Sequence, residues 1–338
     1  MQTDHFSIRS CLSAAAVVIT GVLALASPHV AWCQITPDEA SQIRTAIGDR
    51  IEALTILGGD YGLAGASFRS TGKFSFSENT DATLDITKLG GAGEIGDPQP
   101  MGTMGIGWQP RLQGNMGYID ATNHLHSPLL EGDRTKVTGY GLEFGGGARL
   151  WMTDRFSVAP TVMALYGHLS NSYTANSAFM QANQALAKQV GLIDWKIDTI
   201  TVITAANFQY VINWDRTIVT LSSEPIWFHT ETLNSSNSHV TAHGDSGTWA
   251  NKIDVDVPLG RQLWGHELRT GGYFSRTDLS GGLKSGLVVP YMYEAHARLV
   301  LDFLNQLWYT QWLGLGGSYV WGPNIKGWTF GVDVTFRF

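Results

Sequence analysis

From position 61 to the carboxyl end the chain alternates apolar and polar residues with a period of two, which constrains its fold more than any other feature. The last segment carries the pattern most cleanly. In 328–338, Trp328, Phe330, Val332, Val334, Phe336 and Phe338 hold the even positions, and the odd ones are small or polar, among them Asp333 and Arg337. Tyr291, Tyr293, Ala295, Ala297, Leu299, Leu301 and Phe303 alternate with Met292, Glu294, His296, Arg298, Val300 and Asp302. Tyr140, Leu142, Phe144, Ala148 and Leu150 share one parity with Glu143 and Arg149 on the other, and Ile253, Val255 and Val257 alternate with Lys252, Asp254 and Asp256. Successive side chains of a strand point to opposite faces, so each segment has a greasy face and a wet one.

A soluble sandwich would alternate as well. Length and connections decide between the two. Strands are predicted near 61–77, 82–94, 105–121, 135–151, 155–171, 196–213, 216–231, 246–258, 265–276, 288–303, 307–321 and 325–338, and most run 12–18 residues. Globular strands are typically about 5–6 residues, whereas a tilted membrane crossing needs about 9–11. Met152–Arg155, Trp214–Arg216 and Leu304–Gln306 are tight turns, while 122–134, 172–195, 232–245 and 277–287 are long and rich in Ser, Asn, Gly and His. Short turns on one rim and long loops on the other are the habit of outer-membrane barrels. Trp108, Trp151, Trp195, Trp214, Trp227, Trp249, Trp264, Trp308, Trp321 and Trp328 fall near strand ends, where indole rings would form headgroup-level girdles; Trp312 alone is mid-strand. The expected fold is all-β: a membrane β-barrel of about 12 antiparallel strands over 61–338.

Composition agrees. Charged residues are 15% of the 338 and Gly numbers 39, against roughly 25% charged residues and about 7% Gly on average. A formal charge of −7 argues against nucleic acid as a partner. Mean hydropathy of −0.03 is too polar for a bundle of membrane helices and leaves a barrel open. At the N-terminus, Arg9 precedes the uncharged run Cys11–Ala26, which reads as a signal peptide over 1–33, cleaved after Ala26 or after Cys33. An uncleaved anchor is the alternative; for a lipoprotein box, Trp32 stands where a small residue is required. Both cysteines, Cys11 and Cys33, lie in this segment, so the mature chain is expected to have no disulfide and no thiolate metal site. Residues 34–60 form a helical unit. Thr36-Pro37-Asp38-Glu39 is a capping box with Pro at the first helical position, Ile43, Ala46, Ile47, Ile51 and Leu54 make an apolar stripe, and Gly58-Gly59 ends it.

A capped helix leading into twelve strands that finish on Gly316–Phe338 resembles the translocator domain of autotransporters, over roughly 36–338. The resemblance implies a helix that threads the lumen and joins the first strand at the periplasmic rim. It also implies location in the bacterial outer membrane, with outer-membrane lipids as surroundings and the barrel-assembly machinery as partner during insertion. The ending Val-Thr-Phe336-Arg-Phe338 resembles the assembly signal of such barrels. Autotransporters carry a passenger of hundreds of residues, and here at most about ten mature residues precede Thr36. The expectation is therefore a solitary, passenger-less monomer acting as a helix-plugged pore or translocator, not an enzyme.

Eight strands fill their own interior and 16–18 leave a channel, so twelve should hold about one helix. The alternation turns Arg111, Glu143, Arg149, Lys252, Asp254, Glu267, Arg269, Glu294, Arg298, Asp333 and Arg337 inward. Their mixed signs suit a network with Asp49, Arg50 and Glu52 of the helix; alternatively they are solvated lumen residues, or the helix lies outside in the periplasm.

His168-Leu-Ser170-Asn171 does not belong to a pure channel. It shares a parity with Val158, Val162, Ala164 and Tyr166. A His and a Ser two apart on an outer surface resemble outer-membrane phospholipases and lipid A deacylases, whose His-x-Ser pair attacks acyl esters from outside the barrel. That chemistry needs a third group to orient the His, and the following loop offers only Asn176, Gln181 and Asn183. An ordinary polar strand end is the other reading. His124 with His126 and His239 with His243 lack carboxylate or thiolate company at ligand spacing, so neither metal nor cofactor is expected. Gly145–Gly147 and Gly314–Gly317 lie within strands and are not phosphate loops. Residues 176–188 are expected to form a short helix in the longest loop, as a lid or as a contact for an external partner.

Overall fold

The computed structural model of the protein describes residues 37–59, 69–76, 81–101, 106–125, 130–307 and 310–336. The signal segment, Arg337 and Phe338 lie outside the described residues. Helix α1 (Pro37–Gly59) is followed by β1 (Arg69–Phe76), β2 (Asp81–Glu94) and the three-residue β3 (Gln99–Met101). Then come β4 (Ile106–His124), β5 (Arg134–Trp151), β6 (Phe156–Thr174), helix α2 (Ala178–Gln189), β7 (Lys196–Trp214) and β8 (Thr217–Ser235). The chain continues through β9 (His243–Leu263), β10 (His266–Ser280), the short helix α3 (Gly281–Leu287), β11 (Tyr291–Leu307), β12 (Thr310–Gly322) and β13 (Ile325–Phe336).

Each strand pairs antiparallel with its sequence neighbour, and two pairings close the ring. β1 runs against β13 from Arg69↔Val332 to Phe76↔Ile325, and β2 against β4 from Asp81↔His124 to Glu94↔Arg111. β3 continues the line of β2 along β4 after a break at 95–98, where the Ile95 N–H reaches the Pro110 carbonyl at 2.8 Å. Twelve long strands thus form one closed barrel. Closure pairs every strand edge internally, which a hydrocarbon surrounding demands. Among the described residues the expected strands match these within a few residues, with β8, β9 and β10 running on and Leu304–Gln306, expected as a tight turn, continuing β11; residues 61–68 and Trp308 lie outside the described residues.

The two parities of each strand have opposite fates. Leu112, Met116, Tyr140, Leu142, Phe144, Val162, Ile253, Leu315 and Phe330 stand exposed on the outer wall. An apolar belt of this extent needs lipid to cover it. Trp108, Trp214, Trp227, Trp249, Trp264 and Trp328 project from the same outer wall. Two tryptophans depart from the girdle expectation: Trp195 is buried in the core under the long-loop rim, and Trp151 sits beneath the Arg149 guanidinium. Trp312, expected mid-strand, lies beneath Arg269 and Arg298. Closeness to a strand end sets the height of a side chain and not its face; Trp151 shares the inward parity of Glu143 and Arg149.

α1 lies inside the ring. Its last turn packs against the middle of the wall: Gly58 against Ile119 and Gly117, and Gly59 against Leu165 and Gly141. A Cβ on Gly117 would collide with the Gly58 carbonyl oxygen, so glycine there is what lets the two backbones meet. Further up, Glu52 reaches Gly244 and Gly282, and Gly48 meets the Thr241 carbonyl in the loop between β8 and β9. The helix therefore descends from the long-loop rim to mid-barrel, with α3 laid against its flank.

Candidate functional site

The lumen has two unlike halves. Around α1 it is apolar. Ile47, Ile51, Leu54, Ile56 and Leu57 are buried with Ile119, Leu165, Leu169, Ile197, Phe228 and Leu283 in one core. A fully buried side chain of this size contributes about 1.5–3 kcal/mol, so the helix is held chiefly by apolar packing. Polar stitches are few: the Asn115 amide donates to the Gly59 carbonyl, and the Thr55 and Thr199 hydroxyls are within 3.4 Å of each other.

The helix charges stay local. Glu52 is only 2% exposed and bonds Ser246, while Asp49 bonds Ser285. Burial pushes both carboxyls above the usual carboxylate range, with those serine hydrogen bonds opposing the shift. Arg50 faces a separate cavity under α2. Thus α1 brings Asp49, Arg50 and Glu52 to none of the lumen charges expected as their partners, from which an apolar layer separates them; Glu52 lies instead within electrostatic reach of Asp245 and His229 near the long-loop rim.

Toward the short-turn rim the lumen is ionic. Glu94 Oε1 is shared by Arg111 Nη1 at 2.6 Å and Arg149 Nε at 2.9 Å, and Arg149 also donates to Ser157 at 2.9 Å and to Gln209. Gln113 donates to Glu143 at 2.9 Å. Across the barrel, Arg298 makes a fork on Asp254 at 2.7 and 2.8 Å, and Arg269 pairs with Asp256 and lies 3.4 Å from Glu267. Tyr273 donates to Glu294 at 2.8 Å. His296 stands 3.3 Å from Asp333 and 2.9 Å from Ser318. Many of these groups line a cavity of about 440 Å³ whose wall holds Arg111, Arg149, Lys252 and Arg298 beside Glu224, Asp254, Asp256, Glu294 and Asp333.

Sequence reasoning had singled out most of the charged side chains here and missed others, among them Glu94, Asp256, His296, Glu224 and Tyr273. Glu94 ends the strand interrupted by Gly90–Gly93, where alternation fades; Asp256 and His296 carried the inward parity without being chosen. Of the terminal signal, Phe336 ends β13, and Arg337 and Phe338 are outside the described residues.

On the outer wall near the long-loop rim, His168 Nδ1 is 2.7 Å from Asp198 Oδ1, which also accepts from Tyr166 Oη at 2.8 Å. The Tyr140 ring stacks on His168 at 5.1 Å. Register explains the group, because Tyr140, His168 and Asp198 are cross-strand partners on β5, β6 and β7. Asp198, and not Asn176, Gln181 or Asn183, is the side chain bonded to His168; strand pairing, invisible in the sequence, selects it. Among the described residues no hydrogen bond joins Ser170 to His168. No group of three or more potential metal ligands occurs among the described residues.

No curated protein matches the chain. Solved structures do. The β-domain of the Bordetella autotransporter BrkA aligns at 13% identity and a TM-score of 0.51, covering 80% of this chain and 97% of its own. The transport unit of AIDA-I from Escherichia coli aligns at 10% and 0.52, covering 86% and 99%. The translocator domain of NalP from Neisseria meningitidis aligns at 12% and 0.50, covering 90% and 99%. At such identity the likeness concerns the fold. The family of solitary outer membrane autotransporter beta-barrel domains matches residues 100–332, and the chain, a barrel of the outer membrane, belongs to it.

Proposed function

We propose that this translocator-type barrel is a pore held shut by α1. The observation that carries the reading is the contrast within one lumen: residues 51–59 of α1 are all buried, and beyond them lies a charged cavity of about 440 Å³, roomy enough for many waters. A path that is wet at one end and sealed by an undocking helix at the other is the physical form of a gate. The cavity wall mixes both signs of charge, which favours no single sign of solute. The closed ring leaves no free strand edge to pair with a second copy, and we read the barrel as a monomer among outer-membrane lipids after insertion by the assembly machinery. In planar lipid bilayers the full chain should conduct weakly, and deletion of 34–57 should raise conductance severalfold. Unchanged conductance after the deletion rejects the plug.

A second reading, acyl-ester hydrolysis on the outer wall, is favoured by Asp198. With Nδ1 held by this carboxylate, the other ring nitrogen of His168 is the one to take the Ser170 proton as Oγ attacks an ester carbonyl. The alkoxide leaves with that proton, and water then frees the acyl group from Ser170. Lipid hydrolysis in mixed micelles, abolished by Ser170→Ala, would establish this activity, and its absence from the wild-type protein removes it.

A further inference from the structure

We propose that the cavity between α1 and the roof carrying α2 binds a small amphipathic organic anion, a carboxylate on a compact apolar body, with Arg50 as its charge partner. The cavity measures about 100 Å³, several times the about 10–15 Å³ that one water requires. Its wall is mostly aliphatic and aromatic, with Ile47, Leu54, Met180 and Trp195 contributing, and Arg50 is the one ionised side chain among its lining residues.

Arg50 has no ion pair or hydrogen bond among the described residues. The two acids of the roof are committed elsewhere. Asp133 accepts from Tyr173 Oη at 2.8 Å, from Ser177 Oγ at 2.7 Å and from the Asn176 and Ser177 N–H groups. Asp194 accepts from the Tyr173 N–H at 3.1 Å. A guanidinium against apolar walls without a counterion is costly, and an anion that brings its own apolar body removes that cost while filling the space. The guanidinium fork matches a carboxylate's two oxygens.

A second polar atom points the same way. Asn123 also lines the cavity, and its side-chain oxygen has no hydrogen-bond partner. Amide oxygen and nitrogen are interchangeable by a flip, so this group can turn an N–H toward the same carboxylate. The roof network around Asp133 holds Tyr173 in place, so the pocket is built before a ligand arrives. This assignment does not rest on the pore reading, because the cavity lies at the long-loop side of α1 and not in the lumen beyond its last turn.

The test is calorimetric titration of the full chain in zwitterionic lipid nanodiscs, corrected for empty discs, with hexanoate, hexanol and hexylammonium as probes. Hexanoate should bind saturably at one site, at least tenfold tighter than either neutral or cationic analogue. Arg50→Met should weaken hexanoate at least tenfold, and Ala187→Phe, which fills the space under the roof, should do the same with Arg50 intact. No saturable hexanoate binding by the wild-type protein overturns the proposal. Hexanol binding as tightly as hexanoate, or Arg50→Met leaving affinity unchanged, overturns it equally, and the analogue comparison needs no variant to fold.

Discussion

The hydroxyl oxygens of Thr55 on α1 and Thr199 on β7 lie 3.4 Å apart, both buried, and tie the helix to the barrel wall at a point otherwise lined by hydrocarbon. Thr55→Val keeps the volume and removes the stitch. Loss of one neutral hydrogen bond costs about 1 kcal/mol. Hydrogen exchange of the Ile51–Leu57 amides should accelerate about fivefold, with barrel amides unchanged.

Gly117 offers a steric test of the same contact. Its missing side chain is where the Gly58 carbonyl sits, backbone against backbone. Gly117→Val cannot be absorbed by a side-chain shift, and overpacking of this kind costs about 1–3 kcal/mol. The variant should keep a heat-modifiable barrel on gels, yet conduct severalfold more than the wild-type protein in planar bilayers.

Docking of α1 should depend on pH through Glu52. Burial raises its carboxyl pKa in the docked state above the value in water. A raised pKa means that the docked state favours the proton. The stabilisation is full below the ordinary carboxylate range and is lost as pH rises through the docked value. Protease sensitivity of α1 should therefore increase from pH 4 to pH 7.5 in the wild-type protein. Glu52→Gln should weaken that dependence, leaving the share that Asp49 carries, and protect α1 at pH 7.5.

Glu94 neutralises two guanidinium groups at once. Glu94→Gln leaves Arg111 and Arg149 facing one another in the lumen with a neutral amide between them. Breaking a largely buried pair costs up to about 3 kcal/mol. The unfolding midpoint of the barrel in urea should drop accordingly, whereas Glu224→Gln, which removes only a longer-range attraction to Arg149, should lower it less.

Asp133 is fully buried and gathers the roof. It accepts from Tyr173, Ser177 and the backbone of Asn176 and Ser177. Asp133→Ala orphans several of these donors, at about 1–3 kcal/mol for each buried one. Trypsin should then cut the folded barrel faster at Lys188 of α2, which is 64% exposed on its side chain.

Strand positions and faces were legible because a barrel wall is periodic. Once 328–338 alternates, the face of Trp328 or Asp333 follows, and the same holds for Arg298 and Glu143. The capped start and Gly-Gly stop of α1 were equally local signals. The Trp residues show the limit: Trp151 and Trp195 looked like girdle residues by height, and their parity turned them inward.

What only the tertiary structure decided is who meets whom. Asp198 finds His168 through the register of β6 and β7, thirty residues apart in sequence, and Glu94 finds Arg149 at a separation of 55. Register is a relation between strands, and a one-residue slip would leave each strand's own pattern intact while changing every partner. The depth of α1 is of the same kind. Its apolar stripe announces that it must be buried, but the glycines at 117 and 141 that admit its last turn belong to other strands. Local periodicity thus settles which face a residue takes, and closure of the ring settles its neighbours.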